Sequence, residues 1–185
     1  MQMSTLRVAI RAEIESIRPA DDIEATHRAE ALAWVDSGAQ LCRVAKPATP
    51  PRHLVSYFVL VDGPLVLLVD HRNAQRWLPT GGHVEPDEHP RSTVVRELQE
   101  ELGIAPAHDL QAPLMITCTE TVGHTAGHWD VSLWYVLNAS SSQALSYDDS
   151  EFAGVRWFHR DELPLDRTDP HLSRFARKLW EGSAA

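Results

Sequence analysis

The feature that most limits how this chain can fold is a well-punctuated helical segment, Pro90 to Leu102, set just behind a glycine pair, Gly81-Gly82. Proline suits the first turn of a helix, where a missing N–H has no partner to lose, and Gly103 suits the stop. At roughly 100° per residue, Val94, Val95, Leu98 and Leu102 fall in one apolar stripe that must face a core. Glu97, Glu100 and Glu101 fall in a neighbouring arc, beside that stripe rather than opposite it. A helix of this kind needs a partner layer, and the flanking text supplies strands. Leu54–Val61 and Leu65–Asp70 are apolar and β-branched, and Asp62-Gly63-Pro64 between them predicts a hairpin. A loop is expected through Trp77 to Gly82. Further strands are predicted at Leu114–Thr121, Trp129–Leu137 and Val155–Phe158, with a closing helix from about Pro170 to Trp180. The fold class is mixed α/β.

The front of the chain differs. From Thr5 to Gly38 it reads as helical: Leu6, Ile10, Ile14 and Ile17 recur at helical spacing, and Pro19 stops the first element. Asp21 or Asp22 caps a second helix, with Glu24 where a capping box wants it, and Gly38 ends it. The proline-rich run after it reads as a stiff extended linker. The organisation is therefore an N-terminal helical extension, residues 1–45, a linker, 46–53, and an α/β domain, 54–182. No repeat is present. A net charge of −9 argues against a general grip on nucleic acid, though a bound cation can invert the field locally for a small phosphate compound. Cys42 and Cys118 lack metal-type spacing and read as free buried thiols. No signal peptide and no membrane span are evident, so a cytoplasmic location is expected.

Three carboxylates on one helical arc repel each other, and no lysine on this helix relieves them. A solvated acidic surface is the plain alternative. A hard cation among them removes the repulsion, because Mg²⁺ takes oxygen ligands from one or two carboxylates plus substrate phosphates. Gly81-Gly82 lets backbone approach the same point. Such a site suits displacement at phosphorus.

The segment from Gly82 to Ile104 resembles the Nudix box throughout: Gly82, Glu88, Arg96, Glu97, Leu98, Glu100, Glu101, Gly103 and Ile104 fall at its fixed positions. The likeness extends more loosely from Leu54 to Pro164. It implies an α/β/α sandwich with a mixed sheet and an enzyme that hydrolyses a phosphoanhydride bond in a nucleoside diphosphate-linked compound. Carried over, Glu100 and Glu101 are metal ligands, Glu97 is a further ligand or the base that activates water, and the Gly81 carbonyl is another ligand. Arg96 orients a glutamate, and Glu88 anchors the loop through Arg96, with Gly82 and Gly103 structural. Many members add a carboxylate from a later loop, for which Glu151, six residues before Trp157, is the candidate; a merely polar turn is the alternative there. The implied cofactor is Mg²⁺, with Mn²⁺ as a substitute. Two departures bear on loop geometry: Thr80 stands between Pro79 and the glycine pair, and Asp87 replaces a glycine common before the box glutamate. By elimination of secondary signatures, the substrate is a (deoxy)nucleoside triphosphate or modified nucleotide, ahead of a nucleotide sugar. A non-catalytic nucleotide-sensing module would have lost box glutamates, and isoprenoid diphosphate isomerisation expects a reactive site cysteine; neither mark is present.

Ten histidines complicate this picture. His83, beside Gly82, is placed for a phosphate contact. His124, His128 and Asp130 lie close together but lack an evident fourth ligand, so a transition-metal site is disfavoured. His124 and His128 read instead as flanking the substrate mouth or facing solvent. Trp129, Trp134 and Trp157 are expected in the core. Trp34 and Trp180 are expected to dock terminal helices on the domain or in a homodimer.

Overall fold

The computed structural model describes residues 4–46, 49–105, 110–121 and 127–182. Two helices come first, α1 (Thr5–Ser16) and α2 (Asp22–Asp36), followed by β1 (Arg52–Asp62), β2 (Leu65–His71), β3 (Arg76–Leu78) and β4 (Thr80–His83). Then come α3 (Pro90–Leu102), β5 (Met115–Glu120), β6 (Trp129–Asn138), β7 (Phe152–His159), a 3-10 turn (Arg160–Glu162) and α4 (Leu172–Glu181). The seven strands make one mixed sheet in the order β3-β2-β1-β6-β5, with β4 also on β1 and β7 on β2. β1 and β6 run parallel from Arg52↔Trp129 to Val61↔Asn138, and all other pairs are antiparallel.

Side chains alternate between the faces of a strand, and β1 is buried on both. Leu54, Phe58 and Leu60 join Leu133 and Tyr135 of β6 beneath Val94, Leu98 and Leu102 of α3. Val59 and Val61 join Trp134 and Phe158 beneath Leu172 and Phe175 of α4. The result is a sheet between two helical layers. Among the described residues no helix is long and apolar enough to cross a membrane. Both cysteines are free and buried.

The N-terminal helices share the α3-side core: Ile10, Ile14, Ala31 and Val35 belong to the same buried cluster as the sheet. At about 1.5–3 kcal/mol per fully buried large aliphatic side chain, Ile10, Ile14 and Val35 alone bind this pair firmly. Asp21 caps α2 by accepting from the Glu24 N–H, while Glu24 accepts from the Ala20 N–H, and Gly38 ends the pair at φ +80. Polar clamps add to the packing. Glu13 pairs with Arg91 of α3 at 2.5 Å, Asp21 with Arg174 of α4, and Glu24 with Lys178 of α4, the last two side chains 1% and 9% exposed.

Several expectations are corrected. The segment read as an extended linker instead brings Val44 and Ala45 back against Thr49, whose carbonyl accepts from both N–H groups, and β1 already starts at Arg52. The loop expected through Trp77–Gly82 holds two short strands, because β3 pairs with β2 and β1 offers β4 a free edge over Val55–Phe58. Val95 is exposed and Thr93 buried, so the inward stripe of α3 is rotated toward the glutamates. Trp129 is also exposed, at the very start of β6, whereas Trp134 is wholly buried.

Candidate active site

Glu97, Glu100 and Glu101 are set on α3, which Ser56 of β1 fastens at its first turn by donating to the Pro90 carbonyl at 2.8 Å. β4 lies alongside, with Gly82 opposite Ser56 and Gly81 opposite Tyr57. Both glycines are forced by close approach. A methyl group at Gly81 would stand 2.2 Å from the Ser56 carbonyl, at a φ of +150. One at Gly82 would stand 1.9 Å from the Glu97 carboxylate. The glycine pair thus lets the strand lie directly on the acidic face of the helix.

The three glutamates are not equivalent. Glu101 is only 5% exposed, and its Oε2 accepts from the Gly81 N–H at 3.0 Å. Burial first, then the charges of Glu97 and Glu151, push its carboxyl up to about 9. Burial likewise raises Glu97, against the pull of Arg96, which donates to its Oε1 at 2.5 Å. Glu100 points outward, with Arg96 at 3.6 Å. Arg96 also grips Glu88 through Nε and Nη2, at 3.1 and 3.0 Å. Burial would raise Glu88, but bonds from Arg96, Thr93 and the Glu85 N–H outweigh it and hold the carboxyl low. Glu88 further closes its own loop, where Asp87 adopts φ +64. Aspartate tolerates that conformation better than most residues, which accounts for a glycine being dispensable there. Thr80 is buried and bonds the Phe58 carbonyl at 2.7 Å, so its insertion is absorbed by the β1–β4 pairing.

Glu151 precedes β7 and reaches the cluster across the sheet: its charge bears on both Glu97 and Glu101, and His71 stands 3.4 Å from its Oε1. Four carboxylates therefore act on one another here, and among the described residues Arg96, already shared with Glu88, is the arginine paired with Glu97 and Glu100. An all-oxygen donor set with this excess of negative charge fits a hard divalent cation.

The histidines are disposed differently from expectation. His128 is 3% exposed, so it does not face solvent; its carbonyl accepts from the Thr121 N–H, drawing it in beside β5. His83 is half-buried on β4 beside Arg43, and burial pushes its ring down to about 3. Both lie with Asp130 and with His53, a residue the sequence reading passed over because it comes from a separate strand. His124 lies outside the described residues.

The NUDIX domain family pattern matches residues 51–179, most of the chain and all of the site just described. This chain belongs to the NUDIX family. A MutT NUDIX hydrolase from Burkholderia pseudomallei shares 26% identity over 68% of this chain and 95% of its own, with a TM-score of 0.53. A NUDIX-family hydrolase from Clostridium perfringens is 22% identical over 71% and 98%, with a TM-score of 0.54. The dihydroneopterin triphosphate pyrophosphohydrolase of E. coli is 18% identical over 79% and 100%, with a TM-score of 0.59. The last two likenesses speak to the fold alone. No curated protein sequence matches. The chain is a Nudix hydrolase, and α1 lies ahead of the segment that defines the family.

Proposed function

We propose that this Nudix hydrolase cuts a phosphoanhydride bond in a nucleoside diphosphate-linked compound, a (deoxy)nucleoside triphosphate or modified nucleotide, with Mg²⁺ as its cofactor and Mn²⁺ as a substitute. The observation that carries this reading is Glu101: a buried carboxyl whose charge is opposed by burial and by Glu97, Glu151 and Glu100, and is favoured by a bond from the Gly81 N–H. Glu100, Glu101 and Glu151, with the Gly81 carbonyl, would hold the metal, and Glu97 would serve as a further ligand or as the base. When bound, the metal neutralises phosphate oxygens and makes water a better nucleophile near neutral pH.

The chain's own residues do the rest. Arg96 holds one oxygen of Glu97 and leaves the other to accept a proton from the attacking water; burial makes that carboxylate a stronger base than an exposed one. Glu88 fixes Arg96 and so positions Glu97 at one remove. Two free buried thiols agree with a reducing, cytoplasmic setting.

Purified protein with Mg²⁺ is expected to turn over some member of a nucleotide panel. Glu100→Gln is expected to lose most of that activity, on the order of 10²-fold or more, with an unchanged circular dichroism spectrum. Wild-type rates in Glu100→Gln would overturn the assignment of the metal site. Saturable nucleotide binding without turnover across the panel would favour a sensing module instead.

A further inference from the structure

Beside the carboxylate helix, and built from other elements, four side chains converge: His53 on β1, His83 on β4, His128 just before β6 and Asp130 on β6. One ligand atom from each lies within 4.8 Å of all the others. The parallel β1–β6 register places His53 directly against Asp130, and β4 adds His83 from the other side of β1. His53 is wholly buried and His128 3% exposed, so this is an interior site rather than a surface scatter. We propose that these four residues hold a divalent transition-metal ion, zinc by their donor chemistry, separate from the hard cation of the glutamates.

Hydrogen bonds fix which ring nitrogen faces inward. His53 Nδ1 lies 2.9 Å from the Pro50 carbonyl, which can only accept, so Nδ1 carries a proton and Nε2 is the nitrogen that faces the cluster. His128 Nδ1 lies 3.1 Å from the Thr121 hydroxyl, so this ring too is held from its Nδ1 side while Nε2 faces Asp130. Imidazoles oriented through their far nitrogen are the usual support of a metal ligand. Around Asp130 Oδ1, His53 Nε2 stands at 3.2 Å, His128 Nε2 at 3.3 Å and His83 Nε2 at 3.9 Å. The edge of a tetrahedron with zinc bonds of about 2.0–2.1 Å is about 3.3 Å.

The decisive detail is that His53 Nε2 and Asp130 Oδ1 are both buried and neither makes a hydrogen bond, although they are neighbours. Both atoms point into the same small space, and a cation shared between them would satisfy the two at once. Among the described residues Arg43, 3.2 Å from His83 Nε2, is the arginine or lysine bonded to the cluster, and it meets the outermost ligand. It must swing aside when His83 completes the set. Three nitrogens and one oxygen are too soft a set for Mg²⁺ and suit Zn²⁺. Four protein ligands close the shell, which is the pattern of a structural rather than a catalytic ion. Its effect is to pin β4, and with it the glycine pair, to β1 and β6.

The test uses the full chain, stripped with chelator and titrated with Zn²⁺ alone, then with Co²⁺. One equivalent of zinc should bind tightly and raise Tm, and Co²⁺ should give the intense visible bands of a tetrahedral site. His53→Gln and Asp130→Asn should each weaken zinc binding by at least about tenfold, while Glu100→Gln should bind zinc as the wild type does. Thr121→Val, which touches no ligand atom of the ion, should weaken it as well. No stoichiometric binding by the wild type would overturn the proposal. So would equal affinity in folded His53→Gln and Asp130→Asn, or loss of zinc in Glu100→Gln, which would move the ion to the glutamates.

Discussion

Among single residues, Gly82 carries the sharpest consequence. Any side chain there collides with the Glu97 carboxylate, and that carboxylate is held on its other side by Arg96. Gly82→Ala should therefore push Glu97 out of place more than it unfolds the protein. Activity is expected to fall about 10²-fold, the scale of a misplacement near 1 Å, with a far smaller change in Tm; parallel kinetics and melting curves check this. Gly81→Ala meets backbone instead, at a strained φ, and should cost stability as well as activity. The glutamates were legible in the sequence because one helix carries all three and helical geometry is fixed. His53 and His83 were not, since their meeting with Asp130 depends on strand pairing across the chain, which spacing along it does not encode.

At the level of elements, the clamps between the N-terminal pair and α4 are as informative as the packing. Glu24 and Lys178 are almost fully buried and 2.5 Å apart. Removing one partner of such a pair strands a charge away from water, which costs about 3–5 kcal/mol, whereas replacing both with apolar residues of similar size is far milder. Lys178→Met alone is expected to lower the urea midpoint sharply, and Glu24→Leu/Lys178→Met together to recover much of it; equal effects would refute a buried-charge origin. The limits of α1, α3 and β6 could be read closely from periodicity and capping. β3 and β4 could not, because Pro79 and two glycines carry the local signal of a loop, and only pairing with β2 and with the open edge of β1 makes strands of them.

For the whole molecule, the seam between front helices and sheet domain sets a pH response. Burial, with Arg174 and His27 close by, holds the His171 ring down at about 4 against an ordinary 6.5. The unfolded chain takes up that proton first as pH falls, so the stability from a neutral His171 is complete above 6.5 and drains away between 6.5 and about 4. Asp21, bonded by Arg174, is held well below the usual carboxylate range, so its share is lost at still lower pH, in the same direction. Between pH 7 and 4 His171→Gln should lose less Tm than the wild type does, with the difference concentrated in the upper part of that range. An unchanged slope in His171→Gln would show that the seam is not the source.

The order in which this molecule is assembled follows from the same seam. α1 and α2 are made first, yet the surface that covers Ile10, Ile14 and Val35 comes largely from strands and a helix in the later part of the chain. During synthesis the leading helices must wait, greasy side exposed, for their counterpart to arrive. A shortened version starting at Arg52 would keep every acidic ligand but leave that counterpart bare, and should clump rather than fold into a smaller working enzyme.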